Sequence, residues 1–263
     1  MAHSKIIKTN NPMAIRVQNV SFTYDGLAVL KDVSLQVPAG AFTVLLGKNG
    51  SGKSTLLKMM AGLLHYKTGT IEILGKGLNR LALSERGKLI GYLPQFHTPV
   101  FPFTVREVVL TGRAAYVFSQ PSKRDREKAE QAIAEVGIEE LRDRPYTELS
   151  GGERQLVMIA RVLAQEPKVI LLDEPLSHLD LANQVRFLGL VKKLTASGLT
   201  VLAVLHDPNL AFLSGDHFVF LKDGRVLETP EGECPWEAGL LSKVYGTPIE
   251  TIPFRDRALV VPF

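Results

Sequence analysis

Hydrophobic positions along the chain switch between two periods. Ile15, Val17, Val20, Phe22 and Tyr24 stand in near alternation with polar residues, which predicts a half-buried strand. Asp25-Gly26 is a turn signal, and a second strand is expected around Asp32 to Val37. A short apolar run, Phe42 to Leu46, leads into a glycine-rich stretch and then a helical pattern from Lys53 to Leu64. Further strands are predicted at Thr70 to Leu74 and Ile90 to Leu93. After Gln95 the texture changes. The loop from Phe96 to Phe103 holds two prolines and three phenylalanines, and helical segments follow at Thr104 to Thr111 and Lys123 to Val136. The second has Ala129, Ala132, Ile133 and Val136 as its apolar side.

Gly151 to Ala164 reads as another helix, ending before Pro167. Strand and helix patterns then alternate: Lys168 to Asp173, Leu181 to Thr195, Thr200 to Leu205. Such alternation argues for an α/β fold with a parallel sheet and crossover helices. Phe218 to Leu221 and Arg225 to Leu227, split by Asp223-Gly224, predict a terminal hairpin. The expected organisation is one domain over 13–263. Its core covers 13–95 and 153–263, a helical block of about 96–152 is inserted, and a polar leader of 1–12 precedes it.

Composition narrows the class. The chain has 263 residues, 45% of them hydrophobic, enough to build a large core. Its single cysteine, Cys234, excludes an internal disulfide framework and fits a reducing compartment. No apolar run approaches the roughly 20 residues of a membrane span, and the leader has Lys5 and Lys8 but no apolar signal core. A soluble, cytosolic chain is expected. The net charge of +4 is compatible with an anionic surface and selects none.

The chemistry begins at Gly47-Lys-Asn-Gly-Ser-Gly-Lys53-Ser54, which matches G-x-x-x-x-G-K-[ST] between a strand and a helix. Glycines there let backbone N–H groups converge on phosphate oxygens, and a helix N-terminus adds a favourable dipole. Lys53 would place its ammonium on the β- and γ-phosphates, and Ser54 would ligate Mg²⁺. A second acidic anchor is Val169-Ile-Leu-Leu-Asp173-Glu174, an apolar strand delivering carboxylates at its carboxyl end. Asp173 would hold Mg²⁺, mostly through water, and Glu174 is placed to polarise the attacking water.

Leu149-Ser150-Gly151-Gly152-Glu153-Arg154-Gln155 adds a second helix start suited to an anion. With the two preceding motifs, this resembles the ATP-binding subunit of ATP-binding cassette (ABC) proteins, from Ile15 to at least Glu228. The resemblance implies a P-loop NTPase cassette with a mixed-sheet core and an inserted α-helical subdomain. It implies nucleotide contacts from Gly47, Asn49, Gly50, Ser51, Gly52, Lys53, Ser54 and Thr55. Tyr24 resembles the aromatic that stacks on adenine. Gln95 resembles the loop glutamine that senses the γ-phosphate, magnesium and the membrane partner. Ser177-His178-Leu179-Asp180 resembles the loop coupling two sites, with Asp180 near nucleotide and no chemical role for His178. His206 resembles the switch histidine on the γ-phosphate. Lys48 departs from the proline common in relatives, at a variable position. In this family two subunits associate head to tail, so Ser150, Gly151 and Gly152 would close on the nucleotide of a second copy.

Three function classes compete: a transporter motor subunit, a soluble ABC ATPase of repair or translation, and a nucleotide-dependent regulator. One cassette without sustained heptads favours the first. The stretch Phe103 to Tyr116 and the tail around Lys243-Val-Tyr-Gly246 are similar to importers of iron-siderophore, haem and cobalamin type. That resemblance implies ATP and Mg²⁺ as cofactors, a homodimer, two separate permease subunits and, indirectly, an extracytoplasmic binding protein. It also implies a peripheral place on the cytoplasmic membrane face, with the loop 99–103 as a permease dock, and no nucleic-acid partner. Molybdate or tungstate importers and zinc or manganese importers are the alternatives.

Overall fold

The computed structural model describes residues 12–95, 102–177, 179–229 and 234–262. The chain runs β1 (Met13–Tyr24), β2 (Leu27–Pro38), β3 (Phe42–Leu46), α1 (Lys53–Met60), β4 (Thr68–Ile73), β5 (Lys76–Gly77), α2 (Leu83–Leu89) and β6 (Ile90–Leu93). It continues α3 (Val105–Leu110), α4 (Lys123–Val136), α5 (Gly151–Ala164), β7 (Val169–Asp173), α6 (Leu181–Ala196) and β8 (Thr200–Val204). It ends α7 (Pro208–Ser214), β9 (His217–Lys222), β10 (Arg225–Leu227), α8 (Ala238–Tyr245), β11 (Ile249–Phe254) and β12 (Arg257–Pro262). Two compact units result, one formed by the chain up to Asn79 and from Leu202 onward, the other by Arg80–Val201. The leader up to residue 11 and most of the loop 99–103 lie outside the described residues.

In the first unit an antiparallel sheet is ordered β2-β1-β4-β5. Ile15, Val17 and Val20 of β1 are buried although the last breaks strict alternation. A bulge resolves the conflict: Val17 pairs with Leu35 and Val20 with Val33, so β1 carries one extra residue. Asn19 takes it up at φ 51°, and its amide nitrogen donates to Asp32 Oδ1 at 2.9 Å. The fully buried β3, apolar except for Thr43, lies parallel to β9, as expected for a strand buried on both faces. The β9–β10 hairpin predicted around Asp223-Gly224 forms, with both turn residues at positive φ. α1 stops at Met60 and not at Leu64, because Gly62 turns left-handed (φ 73°) and Leu63 emerges into solvent.

The second unit pairs β6 parallel to β7 and packs α3 and α4 on α5. The apolar stripe of α4 is its buried side: Ala129, Ala132, Ile133 and Val136. Its ends are local, a Ser122–Asp125 capping box and Gly137 in the left-handed region. α3 and α4 bury their apolar faces on α5 and share one compact unit with α5 and β7.

Among the described glycines of the second unit, Gly112 is the most closely packed. A Cβ there would lie 2.1 Å from the Arg161 carbonyl oxygen and 3.2 Å from Ala164 Cβ. Arg113 beside it is 2% exposed, and it pairs with Asp125 (3.0 Å) and Glu166 (2.9 Å) while donating to the Ala164 carbonyl (2.8 Å). Gly112→Ala is therefore expected to force apart backbone on two segments, costing about 1–3 kcal/mol. Thermal unfolding would show a midpoint several degrees lower, and an unchanged midpoint would refute this account of the packing.

Candidate nucleotide site

The phosphate loop lies in the first unit. β3 ends at Leu46, and the chain turns at Gly47, where a Cβ would sit 2.1 Å from the Leu221 carbonyl oxygen. Gly47 is thus the price of seating the loop against β9. Gly224, in the β9–β10 turn, donates its N–H to the Ser51 carbonyl (3.2 Å) and accepts from Lys31 N (2.8 Å), which braces the loop. Lys53 is 5% exposed, and its Nζ donates to the carbonyls of Gly47 and Lys48, both at 2.8 Å. Its charge is held inside the loop.

The loop tests well for an anion. Helices α3, α4, α5, α6 and α7 have their first-turn N–H groups capped by the side chains of Thr104, Ser122, Ser150, Asp180 and Asp207. α1 starts from Gly52, at φ 104°, which has no side chain to cap with. A helix start without a side-chain cap, its aligned dipole and a buried lysine form the donor set a polyphosphate requires. Ser54 and Thr55 occupy the first turn of α1, and Asn49 and Gly50 the exposed crest of the loop. Ser51 is buried with an Oγ that has no hydrogen-bond partner among the described residues.

Tyr24 closes β1 with 42% of its surface exposed, and its ring is edge-on to Phe22 at 4.6 Å. The exposed ring can take an aromatic partner. His206 is exposed two residues beyond β8, and Asp207 behind it caps α7, accepting from Asn209 N at 2.7 Å.

The acidic residues lie in the second unit. Asp173 ends β7 and is 2% exposed. The Tyr92 hydroxyl, from the neighbouring β6, donates to Asp173 Oδ2 at 3.3 Å. Burial, then the Asp173 charge, pushes the Tyr92 hydroxyl far above its ordinary pKa, so it stays a donor. Glu174 has φ 52°, a strained left-handed conformation for a non-glycine residue. The Gln95 amide and Glu174 carboxylate are hydrogen bonded, and the Ser177 hydroxyl adds a contact to the same carboxylate at 3.4 Å. The structure thus brings Gln95 and Glu174 together, from 79 residues apart.

Ser150 caps α5, with its Oγ accepting from Glu153 N (3.3 Å) and its own N–H donating to Glu153 Oε2 (2.7 Å). The Ser150 backbone N–H, and after it the Ser150 hydroxyl, hold the Glu153 carboxyl below its usual range. The expected anion-binding terminus therefore already carries a carboxylate. Gly151 is bare, with nothing within 4 Å of where a Cβ would stand. A Cβ on Gly152 would lie 2.9 Å from Asn183 Nδ2, and Asn183 N donates to Asp180 Oδ1 at 2.8 Å. Asn183 thus lies between Gly152 and Asp180. His178 lies outside the described residues.

Sequence reasoning missed Tyr92, Ser177 as a partner of Glu174, and Asn183. Only Tyr92 carried a signal, a hydroxyl in an otherwise apolar strand.

The profile of the ABC transporter family matches residues 30–177. A Helicobacter pylori protein named "Probable iron chelatin transport ATP-binding protein" is 38% identical over 253 residues, covering 95% of this chain and 99% of its own. The "Hemin import ATP-binding protein HmuV" of Rhodococcus jostii is 37% identical, covering 97% of this chain and 88% of its own. Among solved structures, one described as "An inward-facing conformation of a putative metal-chelate type ABC transporter" superposes with TM-score 0.82 and 30% identity, covering 95% of this chain and 97% of that one. A dimeric bacterial ABC transporter cassette gives TM-score 0.73 and 32% identity, over 81% of this chain and 97% of that one. With the phosphate loop and acidic strand described above, these matches show that the chain belongs to the ABC transporter family, as an ATP-binding and ATP-hydrolysing subunit.

Proposed function

We propose that the chain is the ATP-hydrolysing motor of an importer for metal chelates of the iron-siderophore, haem or cobalamin kind. It works as a homodimer on two separate permease subunits, fed by an extracytoplasmic binding protein, at the cytoplasmic membrane face. The observation that carries this reading is how far along the chain the likeness runs. The metal-chelate type transporter matches 95% of the chain, whereas the dimeric cassette matches 81%. No helix among the described residues is long and apolar enough to cross a membrane, which supports a span supplied by other chains.

Each residue has one task. The α1 N-terminus and Lys53 bind the phosphates, and the exposed Tyr24 ring stacks on the adenine. Ser54, Asp173 and Gln95 would hold Mg²⁺, which neutralises phosphate charge. Glu174 accepts a hydrogen bond from the attacking water and orients it in line with the γ-phosphate. His206 donates to the γ-phosphate as its charge develops. Ser150, Gly151 and Gly152 of each copy close on the nucleotide of the other, with Asp180 nearby. The Gln95 bond to Glu174 gives the loop that meets the permease a grip on the water-orienting carboxylate.

Uptake of labelled ferric chelate, haem, cobalamin and molybdate, comparing the wild type with Lys53→Ala, tests this reading. At least one metal chelate is expected to lose accumulation in the variant. Dependence of molybdate alone would move the assignment to an oxyanion importer. Dependence of none would refute it.

A further inference from the structure

The C-terminal hairpin is stapled to the short helix that follows His206. Asn209, at the second position of α7, forms a closed pair of hydrogen bonds with the backbone of Val260 in β12. Its Nδ2 donates to the Val260 carbonyl at 3.2 Å, and its Oδ1 accepts from Val260 N at 2.7 Å. That is the pattern of a ladder rung, so a side-chain amide stands where a neighbouring strand would. The other end of α7 is held from the same strand, since the Arg257 guanidinium donates to the carbonyls of Phe212 and Gly215. α8 adds Tyr245, whose buried hydroxyl has no hydrogen-bond partner among the described residues and is pushed up by burial and then by the charge of Asp207.

The connection to the site is short. Asn209 N donates to Asp207 Oδ1, and Asp207 is bonded to His206. α7 has seven residues and Pro208 at its start, so by itself it is too short to hold its own direction. We infer that Asn209 is a positioning residue. Clamped to Val260, it fixes the start of α7 and thereby the place of the exposed His206 imidazole. The hairpin then serves turnover without touching nucleotide. The inference rests on the role given to His206 above.

Steady-state phosphate release as a function of ATP, on the full-length protein in its membrane complex, tests it with wild type, Asn209→Leu, His206→Ala and the double variant. Asn209→Leu is expected to lower kcat about 10- to 100-fold, the scale of a misplaced catalytic group, with KM for ATP within about twofold. In the double variant, kcat is expected to equal that of His206→Ala, since a lost imidazole cannot be misplaced. If Asn209→Leu does not fold, Asn209→Asp, which keeps the acceptor for Val260 N, is read in the same way. A wild-type kcat in the Asn209 variant, with His206→Ala impaired, overturns the inference and spares the role of His206. Losses that multiply in the double variant also overturn it. A wild-type kcat in His206→Ala overturns both.

Discussion

Lys53→Ala is expected to abolish both nucleotide binding and turnover, with phosphate release down at least about 10³-fold. The lysine is buried in a loop whose carbonyls it bridges, so its removal takes away a positive charge and the tie that keeps the loop wound. Each charge-assisted hydrogen bond lost to phosphate costs about 1.5–3 kcal/mol, and the loop carbonyls would then face the phosphates without the cation between them. Fluorescent ATP titration and phosphate release measure the two effects. Binding at wild-type affinity would contradict the assignment of the loop.

Glu174→Gln is expected to separate binding from chemistry. The substitution keeps shape and can still contact Gln95 and Ser177, but it removes the charge that polarises water. A general base contributes about 10²–10⁴-fold, and turnover should fall by that factor while ATP affinity persists. Because ATP would then stay in the site, the variant should accumulate as a nucleotide-bound dimer, read by size-exclusion chromatography with ATP and without. Glu174 is held at φ 52° one residue beyond a buried strand, a strain consistent with a residue placed for chemistry.

Much of this was legible because it is local. The bounds of α4 and α5 follow from Ser122 and Ser150, each with an acidic residue three positions on, ahead of an apolar stripe. The β9–β10 hairpin follows from Asp223-Gly224. The phosphate loop is contiguous, so its chemistry could be read from spacing alone. What escaped depends on distant partners. The β11–β12 hairpin and its hold on α7 rest on a side-chain amide pairing with backbone 51 residues away, which leaves no period in the sequence. The helical pattern of α1 runs four residues past its end at Met60, because the apolar spacing continues beyond Gly62 while the helical backbone does not. The Gln95–Glu174 bond joins residues whose roles came from resemblance, and nothing local announces that they touch. Tyr92 holds Asp173 through strand pairing that only the folded sheet supplies.

The central claim is that hydrolysis governed by Glu174 drives import of a metal chelate. It is tested most directly by measuring labelled ferric-chelate uptake and phosphate release together, in membranes carrying the transporter with either the wild-type chain or Glu174→Gln. The account predicts uptake and phosphate release with the wild type, and loss of both with the variant although its ATP stays bound. Undiminished uptake or phosphate release in the variant would contradict it.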